Sequence, residues 1–167
     1  EQVRMFGKEY IDIVLTGDTF DAANSAAIEY ARKSGKTFIP PFDDEKIIEG
    51  QGTIGYEMMK QAQEPLDYVF IPIGGGGLAS GVGAYIKMVS PETKIIGVEP
   101  LGAACMKTAI EKGEVVELEH IDKFVDGAAV KKAGKLTFEI CREVLDDIIK
   151  VPEGAVCTTI INMYNKS

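Results

Sequence analysis

Four consecutive glycines, Gly74, Gly75, Gly76 and Gly77, stand between an apolar run at residues 69–73 and a helical pattern that opens at Leu78. Glycine reaches positive φ at little cost, and a row of such residues can turn successive N–H groups into one concavity. The helix that follows adds its own unpaired N–H groups and the positive end of its dipole. A dianionic phosphate fits such a turn without any basic side chain. A tight turn or a close strand–helix contact would need one or two glycines, so the run points to a phosphate cradle.

The rest of the chain reads as strands alternating with helices. A strand at 11–15 leads to a helix with Asp18 as N-cap and Asp21 three residues later, a variant of the capping box. Phe20, Ala23, Ala27 and Tyr30 recur at helical spacing, and Gly35 offers a C-cap. With a strand at 36–39 this makes one βαβ unit. Pro40 and Pro41 then break the chain, since neither can donate to a ladder. The stretch 40–44 reads as a crossing point between a domain part at 1–39 and another at 40–167. A helix at about 49–63 carries Gly50, Gly52 and Gly55, whose cost of about 1 kcal/mol each implies close packing. Val69, Phe70, Ile71 and Ile73 form a nearly continuous apolar strand, as expected where both sheet faces are covered. Helices at 78–89, 103–111, 136–145 and 153–164 alternate with strands at 94–98 and 148–151. The fold class is α/β, an open and mostly parallel sheet with helices on both faces.

Charge and cysteine content narrow the function. The net charge is −8, from 26 acidic and 18 basic residues, which disfavours a nucleic-acid surface because phosphate neutralisation needs clustered Lys and Arg. Lys131, Lys132 and Lys135 read as a solvated loop. No stretch approaches the ~18 apolar residues of a membrane span, and the N-terminus shows no leader pattern. Cys105, Cys141 and Cys157 lie 36 and 16 residues apart, with His120 15 from the nearest; that is not metal-ligand spacing, and no metal site is expected. Each cysteine falls in an apolar helical pattern as a small buried hydrophobe, and the odd count of buried thiols points to the cytoplasm.

The spacing alone leaves two phosphates open. Gly74-x-Gly76-x-x-Ala79 also satisfies the loose dinucleotide fingerprint, and Glu99 ends the next strand about 20 residues further on, where a ribose-binding acid would stand. A nucleotide- or phosphate-binding module without catalysis is therefore the alternative. The wording of the chain bears on the choice. Ile71-Pro-Ile-Gly-Gly-Gly-Gly-Leu-Ala-Ser-Gly resembles the glycine loop of fold-type-II pyridoxal-phosphate enzymes, specifically the serine/threonine dehydratases. Gly17-Asp-Thr-Phe-Asp, Pro40-Pro-Phe-Asp-Asp, Ile48-Glu-Gly-Gln-Gly-Thr, Gly97-Val-Glu-Pro, Asp126-Gly-Ala-Ala-Val-Lys and Leu145-Asp-Asp-Ile extend the resemblance over nearly the whole chain.

That resemblance implies the tryptophan-synthase-β-like fold and pyridoxal 5'-phosphate as cofactor. Its phosphate would be held by backbone N–H groups of Gly74, Gly75, Gly76, Gly77 and Leu78, with Gly127 passing close to the pyridine ring. It further implies a cytoplasmic homo-oligomer acting on a small amino acid: β-elimination converting threonine to 2-oxobutanoate and ammonia, and serine to pyruvate. The family carries its cofactor on a lysine within Ser-x-Lys-x-Arg, and this chain has no such segment. Ser34-Gly35-Lys36 is the nearest likeness, but Lys36 lacks the following Arg and suits a solvated helix end. In related racemases a divalent cation sits beyond the position of Glu99; here Ala103 fits that pattern, while Cys105 stands where a second carboxylate would be, and a hard cation wants oxygen. No catalytic residue is therefore assigned, and the chain, which lacks an initiator Met, is expected to be a middle piece of such an enzyme.

Overall fold

The computed structural model describes residues 1–166, and the chain divides into two compact units, Glu1–Ile39 and Pro40–Ser167. In the first unit, α1 (Gln2–Gly7) and a 3-10 turn precede α2 (Phe20–Ser34). The N-cap of α2 is Thr19, one residue later than expected: its hydroxyl oxygen accepts the Ala22 N–H at 3.1 Å. Thr19 is extended (φ −137°, ψ 158°), which brings its side chain back over the third helical N–H. Gly35 closes the helix in the left-handed region at φ 69°. The strands expected at 11–15 and 36–39 do not form. Ile11 is extended (φ −130°, ψ 144°), yet among the described residues neither segment has a ladder partner, and a strand is defined by its neighbour. Ala31 is the one buried residue of this unit, so no βαβ core exists in it.

The second unit runs α3 (Glu45–Gln61), β1 (Tyr68–Pro72), α4 (Gly77–Val89), β2 (Lys94–Pro100), α5 (Cys105–Lys112), α6 (Lys135–Val144), β3 (Asp147–Val151) and α7 (Glu153–Tyr164). The strands form a parallel sheet in the order β1-β2-β3, with Tyr68 opposite Lys94 and Ile96 opposite Asp147. This is the open parallel α/β arrangement that the alternation of elements implies. Val69, Ile71, Ile95 and Ile148 share one sheet face and join Val82, Ile86, Phe138 and Cys141 in a single core. The cover of both faces does not extend over β1. Tyr68 and Phe70 are each 60% exposed and stack at 6.3 Å between ring centroids. A continuous apolar run thus describes a strand with one buried face and one aromatic open face.

α3 starts four residues before its expected position because Asp44 caps it, Oδ1 accepting the N–H groups of Lys46 at 2.9 Å and Ile47 at 3.3 Å. Two of its three glycines then explain themselves. A Cβ on Gly52 would lie 3.3 Å from the Gly81 oxygen, and one on Gly55 3.2 Å from that of Val82. The backbones of α3 and α4 touch there. A Cβ on Gly81 would come within 2.6 Å of Gly52 N and collide with the Ile48 oxygen, whereas Gly50 meets nothing within 4 Å. At the far end of α4, Asp146 ties the sheet together: it accepts Lys87 at 2.7 Å, Ile95 N–H at 2.8 Å and Lys94 at 2.9 Å.

Two glycine substitutions should therefore move stability in opposite directions. Gly81→Ala overpacks the α3–α4 contact and should cost about 1–3 kcal/mol. Gly50→Ala lies in open space inside a helix and should add about 0.5–1 kcal/mol. Urea denaturation of the two variants beside the parent measures both, and a neutral Gly81→Ala would remove the close helix contact.

Candidate functional site

The glycine turn follows the last ladder bond of β1, Ile73 N–H to the Val98 oxygen at 2.8 Å. Each carbonyl that comes next is taken up by the interior. The Gly74 oxygen accepts the Cys105 thiol at 3.5 Å. The Gly75 oxygen accepts the Thr137 hydroxyl at 2.6 Å and the Gly134 N–H at 3.3 Å. The Gly76 oxygen accepts the Ser80 N–H at 2.9 Å, with the Cys141 thiol at 3.7 Å. By contrast, among the described residues no protein acceptor meets the N–H groups of Gly74, Gly75, Gly76, Gly77 or Leu78. In a planar trans peptide the N–H points opposite to the C=O. Drawing these carbonyls inward therefore aims the N–H groups of Gly75, Gly76 and Gly77 away from those donors, although the three glycines are themselves buried. The turn lies at the carboxyl end of a parallel strand, where open α/β sheets bind ligands.

The same glycines are also required by packing. A Cβ on Gly75 would collide with the Phe42 ring, and one on Gly77 would lie 2.9 Å from Phe42 Cβ. Gly76 sits at φ 97°, with Met106 Cε 2.6 Å from its missing Cβ. For Gly74 the neighbours are Ala128 Cα at 3.3 Å and the Gly127 oxygen at 3.5 Å. Gly127, in the 3-10 turn Asp126–Ala128, is thus brought beside the glycine run, and its backbone is exposed. Leu78 is half-buried against the core. Close packing and a row of N–H groups without a protein acceptor therefore occur together here.

Two acidic side chains hold the helices behind the turn. Asp43 reaches the start of α6, Oδ1 accepting Leu136 N–H at 2.9 Å and Thr137 N–H at 3.2 Å, Oδ2 accepting Lys135 N–H at 3.0 Å. Glu99, with no exposed surface, does the same for α5, taking the N–H groups of Met106 and Lys107, both at 2.8 Å. Its two oxygens are occupied where a ribose-binding acid would need a free one. Burial pushes the Glu99 carboxyl up to about 7, outweighing the two backbone donors that favour the anion. The sequence reading passed over Asp43, Thr137, Ser80 and Phe42. One signal was available: α6 opens at Gly134, which has no capping side chain, so a distant acceptor was required. Cys105 and Cys141 are buried as expected, while Cys157 is only half-buried because α7 buries no residue. Lys36 lies with its ammonium 5.4 Å over the Tyr30 ring. Among the described residues no group of three or more metal-ligating side chains occurs, and none of their helices is long and apolar enough to cross a membrane.

An open parallel sheet with a glycine turn at its strand–helix junction defines the class as α/β. The family model described as pyridoxal-phosphate dependent enzyme matches residues 1–167, and the chain belongs to that family. It is 59% identical over 166 residues to the L-threonine dehydratase biosynthetic IlvA of Halalkalibacterium halodurans, covering 99% of this chain and 40% of that protein. The protein of the same name from Bacillus subtilis is 52% identical, with 39% of its length covered. Among solved structures, the processed form of threonine deaminase isoform 2 from Solanum lycopersicum superposes with a TM-score of 0.87 at 42% identity. That match covers 99% of this chain and 48% of the other. The chain thus spans about two fifths of the curated relatives it matches.

The Glu99 environment predicts a pH dependence. Its folded value of about 7 exceeds the ordinary 4.5, so the folded state holds this proton more tightly than the unfolded chain. Stability should accordingly fall as pH rises from about 4.5 to about 7, by at most about 3 kcal/mol. Asp146 acts in a separate window: Lys87, Ile95 N–H and Lys94 hold its carboxyl below the usual range, so its contribution is lost only on stronger acidification. Urea midpoints across this range should decline for the parent and stay level for Glu99→Gln. Identical slopes would show that Glu99 does not titrate there.

Proposed function

We propose that the turn at Gly74, Gly75, Gly76, Gly77 and Leu78 binds the phosphate of pyridoxal 5'-phosphate. The enzyme it serves converts L-threonine to 2-oxobutanoate and ammonia, with L-serine to pyruvate as a second reaction. The observation that carries this reading is the row of N–H groups without a protein acceptor, beside which the carbonyls of Gly74, Gly75 and Gly76 are each taken up by a donor. Family membership supports the cofactor, and the names of the 59% and 52% identical relatives support the substrate and a biosynthetic setting. A dinucleotide reading has less support, since Glu99 has both oxygens committed to α5.

The residues present fit the group. The N–H donors and the start of α4 neutralise a dianion with no lysine or arginine among the turn residues. When bound, the cofactor supplies an electron sink for loss of the amino acid's α-proton. The residues of this chain anchor: they fix the phosphate end, so the far end of the cofactor is presented in one orientation. The backbone of Gly127, beside Gly74, lines the approach to the ring. None of the side chains here is assigned a proton-transfer role, and residues 1–39 and 40–167 belong to the smaller and the larger, phosphate-binding domain. The exposed Tyr68 and Phe70 support a homo-oligomeric assembly, and cysteines outside any disulfide a cytoplasmic one.

Titrating inorganic phosphate into the 15N-labelled chain tests the reading. Amide shifts should concentrate at residues 74–78, and Gly75→Leu should weaken binding by more than about tenfold while the β1 amides keep their positions. Equal affinity in that variant would overturn the site. Pyridoxal phosphate followed by borohydride should label the lysines diffusely, and one stoichiometric lysine adduct would contradict the absence of a cofactor-bearing lysine.

A further inference from the structure

A buried polar ladder stands behind the glycine turn, and backbone anchorage by the turn does not account for it. Thr137 and Ser80 have no exposed surface. The Thr137 hydroxyl donates to the Gly75 oxygen at 2.6 Å, and the Ser80 hydroxyl donates to the Thr137 oxygen at 3.2 Å. Ser80 Oγ also lies 3.4 Å from Cys141 Sγ, whose thiol burial keeps protonated, pushed up to about 11. Thr137 and Cys141 are one helical turn apart on α6, and Ser80 is on α4, so the ladder joins the two helices directly beneath the turn. Asp43 holds the Thr137 N–H, which fixes the height at which the hydroxyl meets the glycines.

Peptide planarity transmits this contact. The Gly75 oxygen is held by the Thr137 hydroxyl at 2.6 Å and, more weakly, by the Gly134 N–H at 3.3 Å; the shorter bond restrains the Gly75–Gly76 plane most, and the Gly76 N–H points opposite to it. Glycine offers no side chain to restrain that plane, and Gly76 already lies in the left-handed region at φ 97°. The orientation of the donor must therefore come from outside the turn.

We propose that Thr137 is a positioning residue for the phosphate cradle, its hydroxyl setting the Gly75–Gly76 peptide so that the Gly76 N–H faces the anion. The inference rests on the reading of the turn as a phosphate site, and the test separates the two. Thr137→Val keeps the shape and removes the donor; Thr137→Ser keeps the donor. Ile86→Val removes a methyl from the same core at a distance from the turn and serves as the control for lost stability.

Each 15N-labelled chain is titrated with inorganic phosphate, and the amide shifts of residues 74–78 are followed. Thr137→Val should bind about tenfold more weakly, the effect of one hydrogen bond, with the Gly76 amide shift displaced before phosphate is added. Thr137→Ser should return to within about twofold of the parent, and Ile86→Val should bind as the parent does. Should Thr137→Val fail to fold, Thr137→Ala provides the same loss of donor with less crowding. Parent-like affinity in the folded donor-less variant overturns the role of Thr137 and leaves the phosphate site standing. No binding by the parent overturns both. A loss in Ile86→Val equal to that in Thr137→Val shows a general stability effect and also overturns it.

Discussion

Where β1 ends and α4 begins, the backbone turns inside a buried setting, and each carbonyl enclosed there requires a donor. Helices α5 and α6 bring those donors: Cys105 to Gly74, Thr137 to Gly75, Cys141 to Gly76. Those bonds have two consequences. They remove what would otherwise be a cost of one to several kcal/mol for each unpaired group. They also leave the N–H edge of the turn without a protein acceptor among the described residues. Among the described residues no buried side-chain nitrogen or oxygen lacks a partner.

The acidic character of the chain acts in the same place. Asp44, Asp43 and Glu99 lie at the starts of α3, α6 and α5, accepting N–H groups that those helices cannot satisfy themselves. α4 differs: its N-cap is Gly76 and no side chain accepts from its first turn. Its dipole is therefore available to an external anion. The carboxylates of Asp43, Asp44 and Glu99 are each engaged by backbone donors.

Much of the second unit was legible because its signals are local. The strand–glycine–helix junction, the strands at 94–98 and 148–151 and the helix at 153–164 follow from apolar period and turn chemistry. What escaped depends on contacts distant in sequence. Asp43 caps a helix that starts at Lys135, and Thr137 meets Gly75, sixty-two positions away. No periodicity encodes such a meeting. Phe70 was misread for a related reason: an apolar residue on the open face of a strand looks the same in sequence as one under a helix. The extended segments at 11–15 and 36–39 had strand composition but no partner, and composition cannot supply one.

Three consecutive residues show how the site is held. Phe42 lies against Gly75 and Gly77, Asp43 caps α6 and Asp44 caps α3. The chain bends through 41–44, so one short stretch engages separate elements at once. Here those elements are the turn itself, the helix that supplies its hydroxyl donor, and the helix whose glycines admit α4. Pro40 and Pro41 stiffen the approach to this stretch by fixing φ. The run 40–44 looks like a linker by composition, yet its contacts make it the clamp that sets the turn and α6 relative to one another. The conformation of the turn is therefore specified from outside its own glycines, which leave room and accept the conformation imposed on them.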